Sequence, residues 1–261
     1  MEQITKEVPM LKRLFIVVLL FAALGGFVFA GGKQETSKIV IATDATFPPM
    51  EMVDENKAIV GFDVDLMNAA AKAAGFTVEF RNTQWDGIFV GLADKKYDAV
   101  MSSVTITDDR KKTMDFSIPY VNAGQILVVP VATTGVTTLA DLAGKSVGAQ
   151  IGTTGAFEID KVKDQYKITE KTYDDEGLAF ADLANGAIAA VVCDTPVAAD
   201  YAMQEKDYMG KFKIVGAQFT QEFYGVAVNK GNSAVLDLIN KGLKAVIDSG
   251  EEKTIEAKWL K

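Results

Sequence analysis

The stretch SSVTITDDRKKTMDFSIPY, residues 102–120, decides how the rest of the chain is read. It follows the apolar run Ala99-Val100-Met101, which reads as a buried strand. The strand gives way to small hydroxyl residues, Ser102, Ser103 and Thr105, beside which a ligand can approach the backbone. Thr107 followed by Asp108 and Asp109 reads as the start of a helical turn, with a capping hydroxyl and acids at its positive end. Arg110 comes within the next turn and offers a planar fork that matches a carboxylate or phosphate. This spacing fits an anion clamp. It fits equally well a strand, a loop and a surface arginine paired with Asp108 or Asp109.

The whole chain bounds the choice. Its 261 residues suffice for one large or two small domains, and 49% apolar with 24% charged residues is ordinary for a soluble globular protein. The net charge is −8 and no basic cluster exceeds Arg110-Lys111-Lys112, which argues against a nucleic-acid partner. There is no histidine, so His-dependent triads and His-ligated metal sites are excluded. The single Cys193 can form neither an internal disulfide nor a Cys-based metal site, and after Ala190-Val191-Val192 it reads as a buried strand residue. Neither a cofactor nor a metal is expected.

Lys12-Arg13 precedes the apolar run LFIVVLLFAALGGFVF at 14–29, and Val28-Phe29-Ala30 offers a small-residue cleavage site before Gly31. Residues 1–30 are expected to be a secretory signal peptide and 31–37 a polar tether. The competing reading is a retained anchor, since the run is near the lower length limit for a span. No cysteine lies near the cleavage site, so lipidation of an N-terminal Cys is not expected. Cleavage removes three cations (Lys6, Lys12, Arg13) and two acids (Glu2, Glu7), leaving the mature chain, periplasmic or secreted, one charge more acidic.

Strand and helix signals alternate throughout the mature chain, which predicts an α/β fold with a largely parallel sheet. Strands are predicted at 38–42, 77–80, 98–103, 126–131, 146–150, 169–173, 189–193 and 224–228. Helices are predicted over 63–74 with Gly75 as stop, from a cap at Asp86 to Lys95-Lys96, over 139–142, from Ala156, over 175–185, from Asp194-Thr195-Pro196, and from a cap at Ser233 to 247. The order strand, Gly- and Thr-containing loop, helix occurs twice.

Three motifs in matching order resemble a known family. They are Ile41-Ala42-Thr43-Asp44-Ala45-Thr46-Phe47-Pro48-Pro49-Met50-Glu51, then Gly61-Phe62-Asp63-Val64-Asp65-Leu66, then the 102–120 stretch with its TITDDRKK and MDFS-x-PY segments. The chain from about Lys38 onward is similar to the periplasmic polar and basic amino-acid-binding proteins of ABC importers, the family 3 extracellular solute-binding proteins of type II periplasmic-binding fold. That resemblance implies two similar α/β lobes joined by two crossing hinge strands, near 123–128 and 221–226, with a ligand cleft between them. Lobe 1 would comprise 38–125 plus 224–261, and lobe 2 126–223. No Gly/Ser- or Pro-rich linker marks this boundary.

An α-amino acid carries a carboxylate and an ammonium on one carbon, and a receptor must pair both. The resemblance assigns Arg110 to the carboxylate, assisted by backbone N–H groups of Thr105 and of the Gly152-Thr153-Thr154-Gly155 loop, where a helix begins. Ser102, Ser103 and Thr105 would line the site. Asp194, just past a strand end where open α/β sheets bind ligands, would pair the ammonium, although Asp before Thr-Pro is also a sound helix cap. Asp44 would meet the far end of a polar or basic side chain, with Phe47 and Trp85 as aromatic walls, a favourable setting for a cation. Gln150 stands where some glutamine receptors carry Lys. An acid with aromatics and no added cation favours arginine, then lysine or ornithine, then glutamine.

The expected partners are a free L-amino acid and a membrane permease, with no nucleic acid, and the receptor is expected to be a monomer that closes its lobes on the ligand. No catalysis is expected. One alternative is a cyclohexadienyl (arogenate) dehydratase-like enzyme on the same scaffold, with Asp44 and Asp194 as an acid/base pair. Its dicarboxylate substrate suits these acids poorly. Another is a ligand-sensing module, set behind the others because no second hydrophobic span or signalling domain is seen.

Overall fold

Strand β1 (Lys38–Thr43) buries Ile39, Ile41 and Ala42, the pattern of a strand covered on both faces. It pairs in parallel with β5 (Thr77–Asn82), Lys38 opposite Thr77, and with β6 (Ala99–Val100), Ile41 opposite Ala99. β15 (Ala227–Asn229) runs antiparallel to β6 and to β7 (Met114–Phe116), completing a sheet of order β5-β1-β6-β15-β7. This description comes from a computed structural model and covers residues 37–260. The expected signal peptide and nearly all of the tether lie outside the described residues. Among the described residues, no helix is long and apolar enough to cross a membrane.

The second sheet repeats the plan. β10 (Ser146–Gln150) pairs in parallel with β11 (Thr169–Tyr173) and β12 (Ala190–Asp194), and β9 (Gln125–Pro130) runs antiparallel to β12 and to β13 (Phe212–Val215). The order is β11-β10-β12-β9-β13. Each lobe is therefore α/β with three parallel strands and two added ones, so the sheets are more mixed than the sequence suggests. A small sheet of β2 (Thr46–Phe47), β3 (Glu51–Val53) and β4 (Ile59–Val60) follows β1. Between the lobes, β8 (Val121–Ala123) leads into β9, and β14 (Glu222–Tyr224) returns toward β15. The two pair antiparallel, with Glu222 opposite Ala123 and Tyr224 opposite Val121.

Helix α1 (Phe62–Ala74) buries Phe62, Leu66, Met67 and Ala70 and stops at Gly75, whose φ of 83° suits glycine. The helix expected from Asp86 to Lys95-Lys96 is shorter. α2 (Ile88–Ala93) is entered through Gly87 at φ 86°, so Asp86 is not its cap. α3 (Asp108–Thr113) starts as expected, with Thr107 Oγ1 accepting the Arg110 N–H at 3.1 Å. α4 (Thr154–Tyr166) begins two residues early, because Thr153 caps it by accepting the Ala156 N–H. α5 (Glu176–Ala184) is capped by Asp175, and α6 (Thr195–Met203) starts after Asp194.

The strand expected over 224–228 breaks into β14 and β15. Between them Ser117 exchanges hydrogen bonds with the Val226 backbone, which removes that residue from the ladder. α7 (Ser233–Ser249) has Asn232, not Ser233, at its cap position. It packs on α1 so closely that a Cβ on Gly242 would lie 2.3 Å from the Ala70 carbonyl oxygen. α8 (Glu251–Trp259), not anticipated from sequence, docks on α1 through a 2.7 Å hydrogen bond from Trp259 Nε1 to Asp65.

Candidate functional site

Four parallel strands end at the cleft. β1 delivers Asp44, β6 delivers Ser102 and Ser103, β10 ends at Gln150 and β12 ends at Asp194. Parallel strands aim their carboxyl ends the same way, so the strand ends of the two sheets and the segments that follow them put nine polar side chains around one space. All eleven residues singled out from the sequence line a single cavity of about 320 Å³.

Arg110 belongs to this cavity and not to the surface. Its neighbours Asp108 and Asp109 pair with Lys111 at 3.3 Å and Lys112 at 2.6 Å. The guanidinium instead donates to the Thr105 carbonyl at 2.9 Å and, across the cleft, to the Gly152 carbonyl at 3.3 Å. Its carbon lies 5.3 Å from the Trp85 ring and 5.1 Å from the Phe89 ring. Burial pulls its pKa down to about 10, against the opposing charges of Asp194 and Glu222. It is a cation at neutral pH with free edges toward the cavity.

Asp194 sits at the N-terminus of α6, yet its side chain makes no capping hydrogen bond. Pro196 in the first turn lacks an N–H, which reduces the demand for a cap. The carboxyl is thus left to the cavity. It is buried, and its Oδ1 has no hydrogen-bond partner. Burial, then the charge of Glu222, pushes its pKa up to about 7, tempered by the Tyr224 hydroxyl, the Gln125 amide and the charge of Arg110. Ser103 Oγ is a second buried polar atom here without a partner.

Ser103 is held at φ 50°, an uncommon conformation for a residue with a side chain, and its N–H donates to Asp63 at 2.9 Å. Ser102 accepts the Asp44 N–H at 2.9 Å and donates to Glu51 at 2.8 Å. Glu51 and Asp63 are fully buried and adjacent. Burial and each other's proximity push the Glu51 carboxyl well above its ordinary range. These two acids form the floor that sets the two serines.

Asp44 lines the same cavity. It accepts from Thr46 at 2.8 Å, from the Trp85 N–H at 3.2 Å and from Gln150 Nε2 at 2.9 Å. All three donors are neutral, and burial raises its pKa. Phe47 and Trp85 are buried walls. Thr153 and Thr154 sit at the start of α4 opposite Arg110, and Thr105 Oγ1 lies 3.5 Å from Thr154 Oγ1. Among the described residues no group of three or more Cys, Asp and Glu side chains is placed to hold a metal ion.

The sequence reading missed Glu51, Asp63, Phe89, Gln125 and Glu222. Glu51 and Asp63 fall inside quoted motifs but carry no assigned role there. Glu222 stands in no motif.

The chain matches the bacterial extracellular solute-binding proteins, family 3, over residues 39–261. It is 40% identical over 223 residues to the probable histidine-binding protein of Neisseria gonorrhoeae, covering 84% of this chain and 82% of that one. It is 33% identical over 245 residues to ABC transporter arginine-binding protein 1 of Escherichia coli K12, covering 93% and 98%. Among solved structures it resembles an ancestral arginine-binding protein bound to arginine, with 42% identity, a TM-score of 0.81, and coverage of 86% of this chain and 99% of that one.

Proposed function

This chain belongs to the bacterial extracellular solute-binding proteins of family 3, and we propose that it captures a free basic or polar L-amino acid outside the cytoplasm and hands it to the membrane permease of an ABC importer. The observation that carries this reading is the pair of opposed charges in one cavity. Arg110 presents unpaired guanidinium edges, and Asp194 presents a buried oxygen without a protein partner. An α-carboxylate on Arg110 and an α-ammonium on Asp194 with Ser103 Oγ satisfy both, which a buried zwitterion requires.

The side chain then points toward Asp44. With the zwitterion matched, the cavity lining holds one surplus acid, Asp44, whose donors are all neutral. A guanidinium or ammonium there gains a charge-assisted bond as well as the aromatic walls, so arginine is preferred, then lysine or ornithine, then glutamine. The lobes are 38–125 with 224–261, and 126–223, moving about β8 and β14. A ligand that touches both shifts the equilibrium toward closure. The leader at 1–30 directs export, and the protein acts as a monomer without catalysis.

The test is thermal unfolding of the mature chain, stripped of ligand by unfolding and refolding, against each amino acid, ornithine and prephenate. At 100 times its dissociation constant a ligand adds about 2.7 kcal/mol, roughly 5–10 °C for a chain of this size. A shift with arginine and smaller ones with lysine and ornithine is the expected result. A shift with glutamine alone overturns the selectivity, and one with prephenate alone overturns the receptor reading.

A further inference from the structure

We propose that Glu222, which lies outside the ligand cavity, is the latch that holds the two lobes together. The inference rests on the reading of lobe closure above and assigns a positioning role to a residue on the crossing strand itself. Glu222 is buried on β14, and its Oε2 accepts the Thr105 hydroxyl at 2.9 Å and the Thr154 hydroxyl at 2.6 Å. Thr105 precedes α3 in the first lobe, and Thr154 opens α4 in the second. One oxygen atom thus ties the anion-binding ends of both lobes. Its other oxygen accepts the Thr220 hydroxyl at 2.7 Å, and Thr220 in turn accepts the Gln125 N–H at 2.7 Å where β9 leaves the crossing.

Proton accounting makes the arrangement directional. Thr154 Oγ1 accepts from Gln125 Nε2 at 3.1 Å, so its own proton is free to go to Glu222. Three hydroxyl protons converge on one acceptor-only group, which is the strong, short form of the bond. Among the described residues, two further polar contacts across the cleft, Asp44 with Gln150 and Arg110 with Gly152, use groups that a ligand competes for. Glu222 itself does not line the cavity, and it holds the hydroxyls of Thr105 and Thr154 from behind, so the tie between the lobes is present before a ligand arrives and biases the open–closed equilibrium toward closure.

The test uses the full mature chain, with spin labels on cysteines introduced at exposed Lys72 and Lys145, one in each lobe, while the native Cys193 is buried. Interlobe distances are measured without and with arginine, and affinity by calorimetry. Glu222→Ala is expected to lengthen the ligand-free distances and weaken arginine at least 10-fold. Thr105→Val with Thr154→Val is expected to do the same, and adding Glu222→Ala to that pair to change little more. An unchanged ligand-free distance distribution in Glu222→Ala, or losses that multiply when the changes are combined, overturns the latch. Should Glu222→Ala fail to fold, the isosteric Glu222→Gln offers one carbonyl oxygen for three hydroxyls and is expected to open the lobes to a smaller extent. Failure of wild type to bind any amino acid overturns the receptor reading instead, and the ligand-free distances still decide the latch.

Discussion

At the scale of single residues, the site divides into side chains legible in a short window and side chains that are not. Arg110 was legible because its cap, Thr107, and its strand lie within ten positions, and the structure adds that Lys111 and Lys112 occupy the acids that could have held it at the surface. Asp194 was legible as a strand-end acid, though only the folded chain shows that its side chain caps nothing. Glu222 was not legible, because its partners Thr105 and Thr154 are 117 and 68 positions away. Truncating Arg110 leaves a bound carboxylate without its partner in a buried space, so Arg110→Ala is expected to weaken arginine at least about 100-fold, the lower part of the range for buried charge pairs. Calorimetry checks this, and an unchanged affinity removes the clamp. Asp44→Asn keeps the shape and the acceptor for Gln150 but loses the charge. It is expected to cost arginine at least about tenfold more than glutamine, and equal losses for both would contradict the preference for cationic side chains.

At the scale of elements, periodicity and punctuation carried most of the fold. Gly75 and Gly186 stopped helices where expected, at φ 83° and 74°, because a left-handed stop is a local property of one residue. What failed was set by neighbours. α8 has a polar sequence with Ile255 as its one buried residue, so it carries no readable apolar stripe and forms because Trp259 and Lys258 meet Asp65 on α1. The break between β14 and β15 depends on Ser117, more than a hundred positions away. The α1–α7 contact is likewise invisible locally, since nothing in the sequence shows why Gly242 interrupts a good helix. Its absent side chain lets α7 approach the Ala70 backbone. Gly242→Ala improves helix propensity yet forces the helices apart, and overpacking of this kind typically costs about 1–3 kcal/mol. A fall in melting temperature of roughly 2–10 °C is expected, with arginine affinity retained at temperatures where the variant is folded. A rise in melting temperature would show that the contact yields.

At the scale of the whole molecule, the acidic balance was plain in the composition, but its division between solvent and interior was not. The acids at Glu79, Asp109, Asp115 and Asp141 are drawn below their ordinary range by cations, hydroxyls or backbone N–H groups, so they support the fold at neutral pH and lose that contribution only in acid. The buried acids behave in the opposite sense. Burial holds Asp194 at about 7, Glu176 at about 8 and Asp200 at about 6, above the values of an unfolded chain. Between about pH 5 and 8 the folded protein therefore binds more protons than the unfolded chain. Stability from these groups is fully present below the unfolded pKa and is lost as pH rises through the folded values. Each pH unit so crossed costs about 1.4 kcal/mol per group. The ligand-free protein is expected to melt at least about 5 °C lower at pH 8 than at pH 5.5. Arginine, which needs Asp194 ionised, is expected to raise the melting temperature more at pH 8 than at pH 5.5 and to release protons on binding. Glu176 separates this mechanism from general self-repulsion of an acidic surface, because it is buried with an unpartnered Oε1. Glu176→Gln should stabilise the ligand-free protein at pH 8 and leave it nearly unchanged at pH 5.5. An equal change at both pH values would mean that the interior acids do not set the pH response.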